Sequence, residues 1–283
     1  MDAFLKIAAE KIIRLALEED LMPNGDLTAS LIEPDKVATL AFVSRSNGVV
    51  AGSYCIPLVY AIIDPTIRCE RLLDDGSLVG KGDVIARVSG SLRNILTGER
   101  TALNFLSHLS GVATLTRKFV DIAKAANPNV VIWDTRKTTP GLRSLEKAAV
   151  RSGGGANHRG NLSEAILIKD NHVASLGIEG AVMLAKAKWP GRMIEVECDS
   201  IDQVKEAASH GATVIMCDNM KPSLVKEARD IVRKAANEVL LEVSGGVNLD
   251  SVSEYALAGA DLISIGAITH SAPILDVGLD FIS

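Results

Sequence analysis

The chain has 283 residues, 47% of them hydrophobic and 23% charged, with aromatic residues at only 4%. That composition supports sizeable cores built from Ala, Val, Ile and Leu, and excludes a disordered chain, a collagen-like repeat or a coiled-coil rod. Lys plus Arg number 30 against 35 Asp plus Glu, a net charge of −5, and a field of that sign opposes nonspecific binding to nucleic acid or anionic membrane.

Residues 4 to 18 place Phe4, Leu5, Ile7, Ala8, Ile12, Leu15 and Ala16 near helical spacing. They predict an opening amphipathic helix, ended by a turn at Pro23 to Asp26. From Val37 to Leu96 the runs are short and β-like, punctuated by Asn47-Gly48, Asp75-Gly76 and Gly82-Asp83. A long helix is expected from Glu99 to Ala126, with Ala102, Leu106, Leu109, Ala113, Thr116, Val120 and Ala123 on one face and Asn127-Pro128 as its stop. Six continuous apolar runs follow: VVIWDT, AILIKDN, MIEVECD, TVIMCDN, LLEVSGG and DLISIGA. Helical segments at Leu176 to Trp189, Ile201 to His210, Ser223 to Ala236 and Leu249 to Leu257 separate the later ones. Continuous apolar strands alternating with helices predict a parallel sheet buried on both faces. Six strands fall short of the eight of a closed barrel, so the fold class is α/β with an open, incomplete barrel.

Four cysteines (Cys55, Cys69, Cys198, Cys217) lie far apart with no CxxC, a pattern of reduced thiols rather than a zinc site or a disulfide framework. No apolar run approaches the ~18 residues of a membrane span, and the N-terminus carries acids and lacks a secretory h-region. A cytoplasmic protein without a membrane partner is expected.

Parallel barrels do their chemistry at the C-terminal strand ends. Here those ends carry Asp134, Thr135, Arg136 and Lys137, then Lys169, Asp170 and Asn171, then Glu195 and Glu197, then Asp218 and Asn219. The last two strands end in Ser244-Gly245-Gly246 and Gly266-Ala267, the loops that recurrently bind phosphate through backbone N–H groups. Between Arg136 and Lys169 the charge reverses locally. Arg136, Lys137, Arg143, Lys147, Arg151, Arg159 and Lys169 stand against only Glu146 and Glu164, and His158 adds to them. Lys147 and Arg151, at i,i+4, read as a solvated helix face. His158 and Arg159 in GGGANHR suit capture of carboxylate or phosphate. Glu197 and Asp218 face one mouth, where two carboxylates hold ribose hydroxyls or a hydrated Mg²⁺. Glu195, two residues earlier, points the same way and reads as a buried partner for a barrel lysine or arginine. A sugar-phosphate substrate and an anionic co-substrate follow from this set.

In order along the chain, GERTALNFLSHLSGVAT, DTRKTTPGLRSLEKAAVRSGGGANHR, AILIKDNH, IEVECD, CDN, SGGV and IGAITHS resemble the quinolinate phosphoribosyltransferases. The resemblance extends to the N-terminal GDLT and NGVVAG. It implies an N-terminal α/β sandwich domain over residues 1–110 and an α/β-barrel catalytic domain over 111–283, whose extreme C-terminus packs back on the first. It also implies transfer of phosphoribosyl from phosphoribosyl pyrophosphate to quinolinate, with release of pyrophosphate and CO₂, aided by Mg²⁺. Carried over by motif, Arg136, His158, Arg159 and Lys169 resemble the quinolinate clamp. Arg100 resembles an arginine reaching in from the neighbouring subunit of a homodimer, whose sites would be shared; a higher oligomer stays open. Lys137 resembles the lysine near the reaction centre, and Glu197 and Asp218 the ribose- and Mg²⁺-associated acids. Ser244, Gly245, Gly246 and Gly266 resemble the 5′-phosphate cradle. One departure stands out: the family commonly reads HR-x-G-L, whereas here the run is His158-Arg159-Gly160-Asn161-Leu162. Three other readings compete: a molybdenum-transport-associated paralogue, a nicotinate phosphoribosyltransferase without decarboxylation, and a lipoyl-like carrier suggested by SLVGKGDVIARV.

Overall fold

In the computed structural model, which describes residues 2–235 and 238–282, the chain divides into two units whose stretches interleave. The expected division at residue 110 is one of sequence. In space the first unit gathers Met1–Arg117, Thr138–Gly154 and Ala267–Ser283, and the second gathers Lys118–Lys137 and Gly155–Gly266.

The chain begins with α1 (Ala3–Leu21), β1 (Val37–Ser44), β2 (Gly48–Val49), α2 (Cys55–Ile63), β3 (Arg68–Arg71), β4 (Leu78–Val79), β5 (Val84–Ser91) and α3 (Leu92–Ala126). There follow β6 (Val131–Trp133), α4 (Arg143–Ser152), β7 (Ile166–Ile168), α5 (Asp170–Leu176), α6 (Ile178–Lys188), β8 (Ile194–Cys198), α7 (Ile201–His210) and β9 (Val214–Asp218). The last elements are α8 (Pro222–Ala235), β10 (Leu240–Ser244), α9 (Val252–Leu257), β11 (Leu262–Ser264), α10 (Ala267–His270) and β12 (Val277–Phe281). The end expected for α8, at Ala236, lies outside the described residues.

In the first unit the sheet order is β12-β1-β5-β3, antiparallel throughout, with β2 and β4 as a separate ribbon. Asp2 caps α1, its carboxylate accepting the Leu5 N–H at 2.8 Å. The buried stripe of α1 is Leu5, Ala9, Ile13 and Leu17, whereas Phe4, Ile7 and Leu15 are exposed. The expected face is thus corrected: α1 is apolar on two sides, and periodicity alone does not say which one is covered. All seven residues expected on the α3 face are buried. That helix starts seven residues earlier than expected because buried Leu92 and Ile95 extend its apolar face upstream. The expectation for Lys147 is also corrected. α4 is covered on most sides, burying Leu145 through Val150, so Lys147 is buried while Arg151 stays exposed.

The second unit is a six-stranded parallel sheet of order β6-β11-β10-β9-β8-β7. The strand that comes first in sequence pairs with the last, so β6 and β7 are its edges. This is the expected open, incomplete barrel. β9 is apolar on both faces in the buried run Val214–Cys217, whereas β8 and β10 each bury one acid, Glu195 and Glu242. α7 ends at His210 and is capped by Gly211 in the left-handed region. All four cysteines are free.

Candidate active site

Register aligns the strand ends. Asp218 lies opposite Ser244, Glu197 opposite Met216, and Ser264 opposite Trp133. Just past β6, the buried Asp134 accepts the His158 backbone N–H at 3.0 Å and the Asn157 side-chain amide at 2.7 Å. That carboxylate ties the glycine-rich loop to the strand end. The Trp133 ring meets His158 edge-on, with centroids 4.7 Å apart.

These ends enclose a cavity of about 570 Å³, lined by Thr135, Arg136, Lys137, His158, Arg159, Leu167, Lys169, Glu197, Met216, Asp218, Asn219, Ser244, Gly245, Gly246 and Ser264. Ten of the twelve residues expected from the sequence are brought together here. Arg100 is elsewhere: it is an exposed residue of α3 in the first unit and is not among the lining residues. Gly266 follows β11 and does not line the cavity either. Leu167, Met216 and Ser264 were not expected. Ser264 sits two residues before Gly266, so the period-2 alternation carried the signal.

The cationic side is crowded. Burial first, and the neighbouring Arg136 guanidinium second, pull the Arg159 pKa below its ordinary value, with Glu195 opposing them. An anion between the two guanidinium groups would relieve that repulsion. Arg159 also donates to the Ala165 carbonyl at 2.9 Å, and Lys169 meets Glu197 at 2.6 Å.

Opposite, Asn219 carries positive φ. Its N–H donates to the Ser244 carbonyl at 2.9 Å, and its side-chain amide to Asp218 at 2.7 Å. Gly245 and Gly246 have φ +92° and +63°, a left-handed turn of the kind that turns backbone N–H groups toward an anion. Glu197 and Asp218 offer hard carboxylate oxygens at the mouth, each with one oxygen engaged by a neighbour. That donor set fits a hydrated Mg²⁺.

Below the mouth the expected partner of Glu195 is corrected. Glu195 is buried, but it meets the His158 ring, Oε2 to Nε2 at 2.8 Å, rather than a lysine or arginine. The buried Glu242 accepts from the Ser264 hydroxyl. Burial, and then the charge of Glu195, raise its pKa well above the usual carboxylate range, Ser264 opposing.

Models of the quinolinate phosphoribosyl transferase N-terminal and C-terminal domains match residues 26–110 and 112–280. The chain belongs to the quinolinate phosphoribosyl transferase family. A relative from Archaeoglobus fulgidus, a probable nicotinate-nucleotide pyrophosphorylase (carboxylating), is 41% identical over 91% of this chain and 98% of its own length. The Mycobacterium leprae nicotinate-nucleotide pyrophosphorylase (carboxylating) is 40% identical over 96% of this chain and 97% of its own. Among solved structures, nicotinate-nucleotide pyrophosphorylase from Ehrlichia chaffeensis superposes with a TM-score of 0.90, is 41% identical, and spans 96% of this chain and 98% of its own. Quinolinate phosphoribosyl transferase membership therefore covers both units, and a carrier domain would account for only part of the chain.

Proposed function

We propose that this chain is a decarboxylating quinolinate phosphoribosyltransferase of NAD biosynthesis. It joins quinolinate to phosphoribosyl pyrophosphate and yields nicotinate mononucleotide, pyrophosphate and CO₂. The observation that carries the reading is the meeting, in one cavity, of Arg136, His158, Arg159 and Lys169 with two acids and the Gly245-Gly246 turn. Two substrate carboxylates taken out of water need such partners. Neither the molybdenum-associated paralogue nor a plain nicotinate phosphoribosyltransferase is favoured, because both named relatives are carboxylating pyrophosphorylases.

In this reading Arg136, His158, Arg159 and Lys169 bind the dicarboxylate, and Lys169 exchanges Glu197 for a substrate carboxylate. Ser244, Gly245 and Gly246 hold the 5′-phosphate. The pyridine nitrogen attacks C1 of the ribose while the bond from C1 to the pyrophosphate oxygen breaks. Glu197 and Asp218 favour the positive charge that develops at C1, and Lys137 the negative charge on the leaving group. The bond from C2 of the ring to its carboxylate then breaks. CO₂ leaves, and the electron pair stays on C2 beside N⁺ until it takes up a proton to form the C2–H bond. Glu197 and Asp218 would hold Mg²⁺ through water, and the ion would supply charge neutralisation for pyrophosphate.

The working unit in this reading is a homodimer with Arg100 supplied in trans, supported by the exposed apolar side chains Phe4, Ile7, Leu15, Leu27 and Leu31 near the N-terminus. Among the described residues no helix is long and apolar enough to cross a membrane. A cytoplasmic location is part of the proposal. Incubation with quinolinate, phosphoribosyl pyrophosphate and Mg²⁺ tests it directly: CO₂ and nicotinate mononucleotide should appear in equal amounts, and their absence refutes the assignment.

A further inference from the structure

Glu195 on β8 and Glu242 on β10 are separated in the sheet by β9. On a flat sheet their backbones would stand about 10 Å apart; the curl of the open barrel turns both side chains inward. One ligand atom from each of His158, Glu195 and Glu242 lies within 4.8 Å of the others. Both acids are fully buried.

Their hydrogen bonds run in one line with one gap. Ser264 donates to Glu242 Oε1, and at the far end His158 Nε2 meets Glu195 Oε2 at 2.8 Å. Between them Glu242 Oε2 and Glu195 Oε1 are buried and make no hydrogen bond. The buried Trp133 indole N–H beside Glu242, which opposes the rise of its pKa, makes none either. Two ionised carboxylates facing each other in a dry interior repel, and two orphaned acceptors add to the cost.

We propose that Glu242 is a positioning residue that keeps its carboxylic proton and donates it to Glu195, so that Glu195 stays an acceptor and fixes the His158 ring at the cavity. The inference rests on the dicarboxylate reading of that cavity. A single proton on Glu242 Oε2 satisfies both orphaned oxygens and completes the line Ser264–Glu242–Glu195–His158. The raised pKa of Glu242 agrees with this placement. A metal ion held by the same three residues would have to break the His158–Glu195 hydrogen bond, which the proton leaves intact.

The two acids then play unequal parts, which makes the proposal testable with isosteric amides. Glu242→Gln keeps a donor toward Glu195 and an acceptor toward Ser264. Glu195→Gln must accept from both sides with one oxygen, so its NH₂ faces a donor. Glu242→Gln should hold the KM for quinolinate within about threefold of wild type. Glu195→Gln and Glu242→Ala should each raise it about tenfold or more, with the KM for phosphoribosyl pyrophosphate little changed. Thermal unfolding checks that each variant is folded. Independently of turnover, infrared difference spectra at neutral pH should show a protonated-carboxyl band in wild type that Glu242→Gln alone abolishes. If Glu195→Gln is the tolerated amide, if that band is missing, or if the purified enzyme carries a stoichiometric metal that Glu242→Gln releases, the proposal is overturned. Failure of wild type to turn over quinolinate would instead strike the dicarboxylate reading and leave the infrared result standing.

Discussion

On the β6 and β7 flank of the cavity the groups available to an anion are side chains: Arg136, Lys137, His158, Arg159 and Lys169. On the β9 and β10 flank they are Asn219, Ser244 and the backbone of Gly245 and Gly246, with no lysine or arginine among the described lining residues. The two flanks differ in how they fail. A long cationic side chain can be removed without disturbing its strand, so its loss should register in chemistry or in substrate choice. A left-handed glycine turn has no side chain to remove, so any change there alters the backbone that does the binding.

The largest effect should come from testing the cationic flank with a smaller substrate. Nicotinate lacks the 2-carboxylate and would leave buried donors unpaired, so kcat/KM should fall about 10⁴-fold relative to quinolinate. Similar values for the two acids would break the dicarboxylate assignment.

Next is Lys137→Ala. Lys137 is exposed at the end of β6, so the variant should keep its melting temperature while kcat drops about 10²–10³-fold. A drop confined to KM would move Lys137 from the reacting centre to substrate binding.

If the proposed homodimer is the working unit, mixed dimers extend the comparison to the partner chain. Arg100→Ala and Lys137→Ala subunits, co-expressed, should recover about a quarter of wild-type activity, because half the dimers carry one intact site. Properly mixed dimers that stay as inactive as their parents would rule out Arg100 acting in trans.

The smallest effects separate two adjacent glycines. A Cβ on Gly245 would lie 2.2 Å from Asn219 Oδ1 and 3.0 Å from its backbone nitrogen, at φ +92°. Gly245→Ala should therefore raise the KM for phosphoribosyl pyrophosphate about tenfold or more. Gly246→Ala meets nothing within 4 Å at φ +63° and costs only left-handed strain, about 1–2 kcal/mol. Its KM should move by a smaller factor, and no change at all would remove Gly246 from the phosphate cradle.

Much of this was legible before any coordinates. The six largely apolar runs are the six strands of the second unit, because a strand buried on both faces is mostly apolar, with Glu195 and Glu242 as buried exceptions. Parallel strands put their C-terminal ends on one side, and that rule gathers Arg136, Lys169, Glu197, Asp218 and Gly245 without further information. This rule does not reach Arg100, which lies on α3 outside the barrel strands, nor His158 and Arg159, which lie in the loop between α4 and β7.

What the sequence by itself determined is therefore the order of elements, the class of sheet and the row of functional groups at its rim. All of these follow from local periodicity and strand direction. Only the tertiary structure decided which side of α1 is covered, that Lys147 is buried, and that Glu195 meets His158 rather than a basic residue. It alone brought Glu195 and Glu242 together. The reason is physical: alternation along a strand says which side a residue takes, whereas contact across an intervening strand depends on how far the sheet curls.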